Sequence, residues 1–157
     1  VNPDAVEVCN FRDDDCDGAI DEVLEGEESC PTCGTIYTDD VGSVILCRVG
    51  KNYTDAHADC LARGADLVSI HSQEQQEAIA TAAYENYSGH IWIGINDLET
   101  EGTFAWTDGS PVDYENWNDN EPNDSGGEDC THFSSWGSGG WNDLPCDREH
   151  AYLCELP

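Results

Sequence analysis

The chain has 157 residues, with 34 Asp and Glu against 5 Lys and Arg, for a formal net charge of −29. That sign of charge repels phosphate backbones and anionic lipid surfaces, so it disfavours nucleic acid and membrane insertion. A hydrophobic content of 38% and five Trp argue against a disordered acidic tail, and the length suits one globular domain plus a small appendage. The charge also repels itself, which is most simply offset by bound multivalent cations or a salty medium.

Nine cysteines point to a disulfide framework formed in an oxidising, extracellular compartment. Cys30-Pro-Thr-Cys33 is a single CxxC with no His or second pair at zinc-ligand spacing, which argues against a zinc site. The odd count leaves one thiol over and makes a dimer bridged through it an option. No apolar run approaches the roughly 20 residues of a membrane span. Val1-Asn2-Pro3 lacks signal-peptide character, so the expectation is a mature, secreted fragment.

Residues 1–28 are acidic and poor in aromatics, and the Cys9 to Cys16 spacing could close a small ring. Asp13, Asp15, Asp17 and Asp21 fall at positions 1, 3, 5 and 9 of an EF-hand-like loop, with Gly18 at 6 and Ala19 at the backbone-carbonyl position. Position 12 is Leu24, and no helix fits in front. With Cys9-Asn10 ahead of it, the segment resembles the short Asp-rich metal-binding repeats of secreted bacterial proteins, which implies a calcium ion held here. The plainer alternative is a flexible acidic leader fixed only by a Cys9–Cys16 bridge.

Residues 29–53 read as short strands with turns, including Ser43 to Cys47. Thr54 is placed to cap a helix through Ala56, Cys60 and Leu61 that stops at Gly64. Ser72-Gln-Glu-Gln75 is a capping box opening a second helix, with Ile79, Ala82 and Ala83 at core spacing. Ile91-Trp-Ile-Gly-Ile95 predicts a buried strand, and Ala151 to Cys154 a short final one. Between them, residues 96–141 are rich in Gly, Asp, Asn, Ser and Pro. A loop of that length in a compact domain is usually functional. Trp106, Trp117, Trp136 and Trp141 are expected to anchor it as core rather than to form a sugar-stacking platform.

Asn120-Glu-Pro-Asn-Asp-Ser-Gly-Gly-Glu-Asp-Cys130 cannot form a helix, because Pro122 removes a donor and Gly126-Gly127 resists regular structure. In so acidic a chain such a run is ordinarily a solvated face. It is also what calcium needs: six to eight oxygens from carboxylates, amides, backbone and water on an irregular backbone. Asn142-Asp143 supplies further oxygens, and a disulfide joining Cys130 to Cys146 would fold it back towards the loop. Asp97-Leu-Glu-Thr-Glu101 adds a third group.

Trp92-Ile-Gly-Ile-Asn-Asp97, Glu121-Pro-Asn123, Glu128-Asp-Cys130, Trp141-Asn-Asp143 and Leu153-Cys154 resemble the motifs of a C-type lectin domain, in order and spacing. Ala56 to Cys60 and Gly64 to Ile70 resemble that family's first helix and second strand. The resemblance covers roughly residues 33–157. It implies an α+β C-type lectin-like fold with two helices, small antiparallel sheets, a long calcium-binding loop region and disulfide staples. Residues 1–28 would be an appended Asp-rich segment and 29–157 the lectin domain.

Position by position, the resemblance implies a principal calcium on Glu121, Asn123, Glu128, Asn142 and Asp143, with a cis Pro122 turning Glu121 and Asn123 towards one ion. An auxiliary calcium would sit on Asp97, Glu101, Asp124 and Glu128, aided by Asp129. Cys60–Cys154 and Cys130–Cys146 would be core disulfides, and Cys47 would bond Cys33 or Cys30. The expected partners are glycans with equatorial vicinal hydroxyls, which coordinate the principal ion while carboxylates accept from them and the amides of Asn123 and Asn142 donate. Acceptor before donor in Glu-Pro-Asn implies mannose-type sugars (mannose, glucose, N-acetylglucosamine, fucose) rather than galactose, bound weakly, at about millimolar per site. The alternative is the same fold with a protein or ice-surface partner. A glycosidase is disfavoured, and with it any enzyme, because the best-placed acids are engaged as cation ligands and stay ionised. The five histidines show no paired spacing and read as structural or surface residues, and Asn52 and Asn86 open glycosylation sequons of no consequence in a bacterial source.

Overall fold

The computed structural model describes residues 32–38, 43–134 and 139–157. The N-terminal loop of Asp13, Asp15, Asp17, Ala19 and Asp21, the Cys9–Cys16 pair, Cys30 and Trp136 lie outside them. The described elements are strands β1 (Cys33–Thr38), β2 (Ser43–Lys51), β3 (Asp66–Leu67), β4 (His90–Asn96), β5 (Ala105–Trp106), β6 (Cys130–Ser134), β7 (Trp141–Leu144) and β8 (His150–Leu156). Helices α1 (Tyr53–Ala62) and α2 (Gln73–Asn86) sit between β2 and β4.

The strands join into one sheet in the order β1-β2-β8-β4-β6-β7, with β3 on β8 and β5 on β4. The small antiparallel sheets expected from the sequence are thus fused, through a short parallel pairing of Ile91 with Ala151 and Trp92 with Tyr152. Strand β4 is buried on both faces, which is why its sequence is a continuous apolar run rather than an alternation. Ile91, Ile93 and Ile95 pack with Ile79 and Ala83 of α2. Trp92, between them, faces the other way, onto Tyr53, Ala56 and Cys60 of α1. Gly94 is required here: a Cβ would lie 2.8 Å from the Leu67 carbonyl and 2.9 Å from the Thr107 hydroxyl.

The helix starts follow side-chain chemistry, with one correction. Asn52, not Thr54, caps α1, its side chain accepting from the Asp55 N–H at 2.9 Å. Asn accepts this bond as readily as Thr and stands two residues earlier, so the helix begins sooner. Leu61 turns outward, 54% exposed, while Ala56 and Cys60 hold the buried face. Ser72 caps α2 as expected, accepting from Gln75 N–H at 3.1 Å. The Gln75 side chain, however, accepts from His71 N–H at 2.7 Å, one residue before the position a capping box would use.

Three disulfides staple the described residues. Cys60–Cys154 ties α1 to β8 across 94 residues, and Cys130–Cys146 ties β6 to the chain beyond β7. By loop-closure entropy the first is worth about 4–5 kcal/mol. Cys33, rather than Cys30, pairs with Cys47.

One buried polar side chain couples α2 to β7. Gln76, 1% exposed, accepts from the Trp141 indole N–H at 2.8 Å and donates to the Gly139 carbonyl at 3.1 Å. Replacing Gln76 by Leu leaves the Trp141 N–H without an acceptor, whereas the Gly139 carbonyl keeps Asn116 as a donor. We predict a loss of about 1–3 kcal/mol in urea unfolding with an unchanged m-value. A loss under about 0.5 kcal/mol would show that this link does not hold β7 in place.

Candidate metal centre

Three chain segments meet at the end of β4. That strand delivers Asp97, the long loop delivers Glu101 and residues 121–129, and β7 delivers Asn142 and Asp143. The loop is anchored by aromatic packing around the fully buried Trp141, with the rings of Trp106, Trp117 and Tyr114 at 5.6, 5.7 and 5.9 Å, all near-perpendicular. Backbone bonds clamp it further: Trp141 N–H donates to Asn116 at 2.7 Å, and Asn118 N–H donates back to Trp141 at 2.9 Å. Trp106, Trp117 and Trp141 are therefore loop anchors, as the sequence suggests.

Within the loop the Glu121-Pro122 peptide is cis, and Asn123 donates from its amide to the Glu121 carboxylate, so both side chains lie together. Buried Asp143 reaches across from β7, its carboxylate accepting from the backbone N–H of Asn123 at 3.1 Å and of Asp124 at 2.8 Å. Asp124 in turn accepts from Gly127 and Glu128 N–H, and Glu128 accepts from Ser125 N–H at 3.1 Å. Asp97 N–H donates to the Asp129 carbonyl at 3.1 Å, closing the group. Gly126 and Gly127 take φ of 98° and 92°, which only glycine adopts freely, and this brings Glu128 back towards Asp124.

The titration behaviour shows how near these groups are. Burial, then Asp129 and Asp143, push the Asp97 carboxyl above its ordinary range despite the N–H of Gly102 donating to it at 2.8 Å. Asp124 foremost, then desolvation by its neighbours, then Asp97 and Asp129, push the exposed Glu101 up. Burial raises Glu121, with Asp143 and Glu128 adding to it against the bond from Asn123. Glu121 thus has Asn123, Asp143 and Glu128 close by, Glu101 has Asp124, Asp97 and Asp129, and Asp143 also acts on Asp97, so these side chains form one group. None of the salt bridges among the described residues reaches this group.

A hard cation fits this donor set. One Asp97 carboxylate oxygen is buried with no hydrogen-bond partner, a costly arrangement unless a positive charge stands against it. Asn142 is engaged in a way the sequence does not reveal. Its amide N–H groups donate to the Asp143 carbonyl at 2.7 Å and to His132 Nε2 at 3.3 Å, leaving the oxygen as its open atom. Burial, helped by His90 and His150, holds His132 down to about 3, so the ring is neutral.

Elsewhere, a cleft of about 560 Å³ is lined by Ser69, His71, Asp108 and Glu155 among others. On its rim Ser110 Oγ lies 3.2 Å from His71 Nε2, and Asp113 lies 2.8 Å from His71 Nδ1, a hydrolase-like line. The Ser110 hydroxyl and N–H both donate to the Asp108 carboxylate, at 2.6 and 2.7 Å, and Pro111 has no N–H. An attacking serine there would face a carboxylate instead of oxyanion donors.

A raised folded-state pKa means that the ion-free fold is more stable with Asp97 protonated. That advantage is complete below the ordinary carboxylate range near 4 and is lost as pH rises through the raised value. We predict that in EDTA at pH 7 the Asp97→Asn protein outlasts the wild type on heating, that the gap closes as pH falls towards about 4, and that saturating calcium reverses the order. His132 and His150 titrate alike in both proteins and cancel in the comparison. Melting curves at both pH values check this, and a wild type more stable than the variant in EDTA at pH 7 contradicts it.

A family model, the lectin C-type domain, matches residues 49–156, and a second, for a metal-binding motif, matches residues 1–22. The low affinity immunoglobulin epsilon Fc receptor of Mus musculus is 45% identical over 108 residues, covering 67% of this chain and 31% of the receptor. The chain spans less than two thirds of the length of such curated relatives. Among solved structures, the EPNH mutant of CEL-I, itself a C-type lectin of Cucumaria echinata, is 30% identical with a TM-score of 0.75, over 83% of this chain and 99% of that one. The cow CD23 C-type carbohydrate-recognition domain, solved in the presence of GlcNAc2Man3 oligosaccharide, is 31% identical with a TM-score of 0.66, over 86% and 95%. These relatives are lectins and receptors rather than enzymes. No helix among the described residues is long and apolar enough to cross a membrane. The chain belongs to the C-type lectin family, whose domains generally bind calcium, and carries an Asp-rich metal-binding motif at its N-terminal end.

Proposed function

We propose that the chain is an extracellular, calcium-dependent carbohydrate-binding module of the mannose type, its lectin domain at residues 29–157 preceded by a metal-binding segment at 1–28. Glu121, Asn123, Glu128, Asn142 and Asp143 hold the principal calcium, and Asp97, Glu101, Asp124, Glu128 and Asp129 the auxiliary one. Asp13, Asp15, Asp17, Ala19 and Asp21 hold a third. The observation that carries this reading is the cis Glu121-Pro122-Asn123 turn, whose acceptor and donor side chains lie together and whose backbone is fixed by buried Asp143. The principal ion supplies open coordination positions for two vicinal hydroxyls. Glu121 accepts a hydrogen bond from one hydroxyl and Asn123 donates one to the other, and this order selects the equatorial pair of mannose, glucose, N-acetylglucosamine or fucose. Few groups are buried against one sugar, so single-site affinity is about millimolar and useful binding needs several sites. An interchain disulfide through the unpaired cysteine is one route to that valency.

Retention on immobilised mannose in calcium, release by EDTA and passage through immobilised galactose are the expected results. Exchanging the pair, Glu121→Gln with Asn123→Asp, should move the preference towards galactose by at least about tenfold, or about 1.4 kcal/mol. A protein that binds calcium and is retained on neither sugar would overturn the carbohydrate reading and leave a protein or ice-surface partner.

A further inference from the structure

We propose that the cleft between β3, the end of β8 and the loop after β5 is a second binding site, which takes the guanidinium of an arginine side chain on a partner protein. The proposal goes beyond the carbohydrate reading, and the cleft shares no residue with the calcium ligands named there. It encloses about 560 Å³, within the range of sites that hold small organic groups. Ala65, Leu67 and Leu156 give it apolar wall, and its polar lining includes Asp66, Asp108 and Glu155 but no Lys or Arg.

Ser69, 5% exposed, ties two of these acids together. Its hydroxyl lies 3.0 Å from Asp108 Oδ2 and 3.3 Å from Glu155 Oε2. A hydroxyl has one hydrogen to give, so it serves only one of the two carboxylates at a time. The Ser69 N–H adds a bond to Glu155 at 3.2 Å, and both Ser110 donors go to the other Asp108 oxygen. Acceptors therefore outnumber donors where the two acids meet. Burial pushes the Glu155 carboxyl up against the bonds from Ser69, and Asp108 adds to the rise. None of the salt bridges among the described residues reaches Asp108 or Glu155.

This lining repels anions and lacks positive charge, so its complement is a cation with several hydrogens to give. A guanidinium offers five N–H donors in a planar fork and can bridge two carboxylates that face one hydroxyl. Its methylene stem packs on an apolar wall of the kind Leu67 and Leu156 provide. A metal ion is a poorer match, because the His71 ring is engaged with Ser110 and Asp113. Free arginine carries an α-carboxylate that Asp66, Asp108 and Glu155 would repel. Within a polypeptide that charge is absent, which favours a protein partner.

The probe is Nα-acetyl-arginine N-methylamide, whose capped ends mimic a residue within a chain, with the citrulline analogue as its uncharged isostere. Each is titrated into the isotope-labelled full chain at about 0.15 M salt, and amide shifts are followed by NMR. The expected result is saturable shifts concentrated around Ser69, Asp108 and Glu155, with the citrulline probe weaker by at least about tenfold. The Asp108→Asn, Glu155→Gln double variant keeps oxygen acceptors for Ser69 and Ser110. It should lose arginine affinity by a similar factor while its spectrum away from the cleft stays that of the wild type. Equal affinities for the two probes would overturn the proposal, as would undiminished binding by the double variant. Shifts that fail to saturate, or that scatter over the acidic surface, would mark general charge attraction and also overturn it. Free arginine binding more tightly than the capped probe would overturn the assignment to a protein partner. None of these readouts involves sugar, so a failure of the carbohydrate reading is scored separately.

Discussion

Carboxylates held close together in a partly buried setting repel one another, and each must be protonated, hydrogen-bonded or matched by a cation. Around the end of β4 that constraint organises the domain. Asp97, Glu101, Asp124, Asp129, Glu121, Glu128 and Asp143 converge there, backbone N–H groups satisfy many of their oxygens, and an oxygen of Asp97 is left buried and unmatched. The chain has few cations of its own to spend: Lys51 and Arg63 both pair with Asp59, on a different face. Those bonds, with one from Tyr152, overcome the effect of its partial burial and hold Asp59 down to about 2. Among the described residues, none of the salt bridges supplies positive charge to the β4 end.

The rest of the fold makes that convergence possible. A buried sheet with helices on both faces gives β4 a fixed end point, and the disulfides to β8 and beyond β7 fix the neighbouring strands. The long loop needs no regular structure because three aromatic rings and a few backbone bonds hold it to Trp141. Gln76 then ties Trp141 to α2. The site is thus assembled on β4 and β7, the rigid parts, while Glu121 and Asn123, proposed above to choose between sugars, lie on the turn at 121–123. Loops on a rigid scaffold commonly carry specificity in this way.

Much of this was legible in the sequence because it depends on local chemistry. The run Ile91 to Ile95 with its glycine, the cap at Ser72, and the ordered Glu-Pro-Asn, Glu-Asp-Cys and Trp-Asn-Asp motifs each carry their meaning within a few residues. What stayed hidden depends on neighbours that only the fold supplies. Gln76 reads as one more polar residue of α2, and nothing nearby reveals that Trp141 and Gly139 lie against it. His132 looks like a lone histidine until strand register sets it opposite Asn142. A Gln among the apolar positions of a helix, or a His alternating with buried strand residues, is the faint signal that could have marked them. The start of α1 is ambiguous in sequence for a simpler reason: Asn52 and Thr54 are both competent caps, and only the geometry chooses between them.

The central claim is that the acidic convergence exists to hold a cation that presents itself to a sugar. The most direct measurement is a crystal structure with calcium and α-methyl mannoside bound. The account predicts calcium on Glu121, Asn123, Glu128, Asn142 and Asp143, with two adjacent mannose hydroxyls completing its shell between Glu121 and Asn123. A calcium ion whose coordination is closed by protein and water, with the sugar absent or bound at another face, would contradict it.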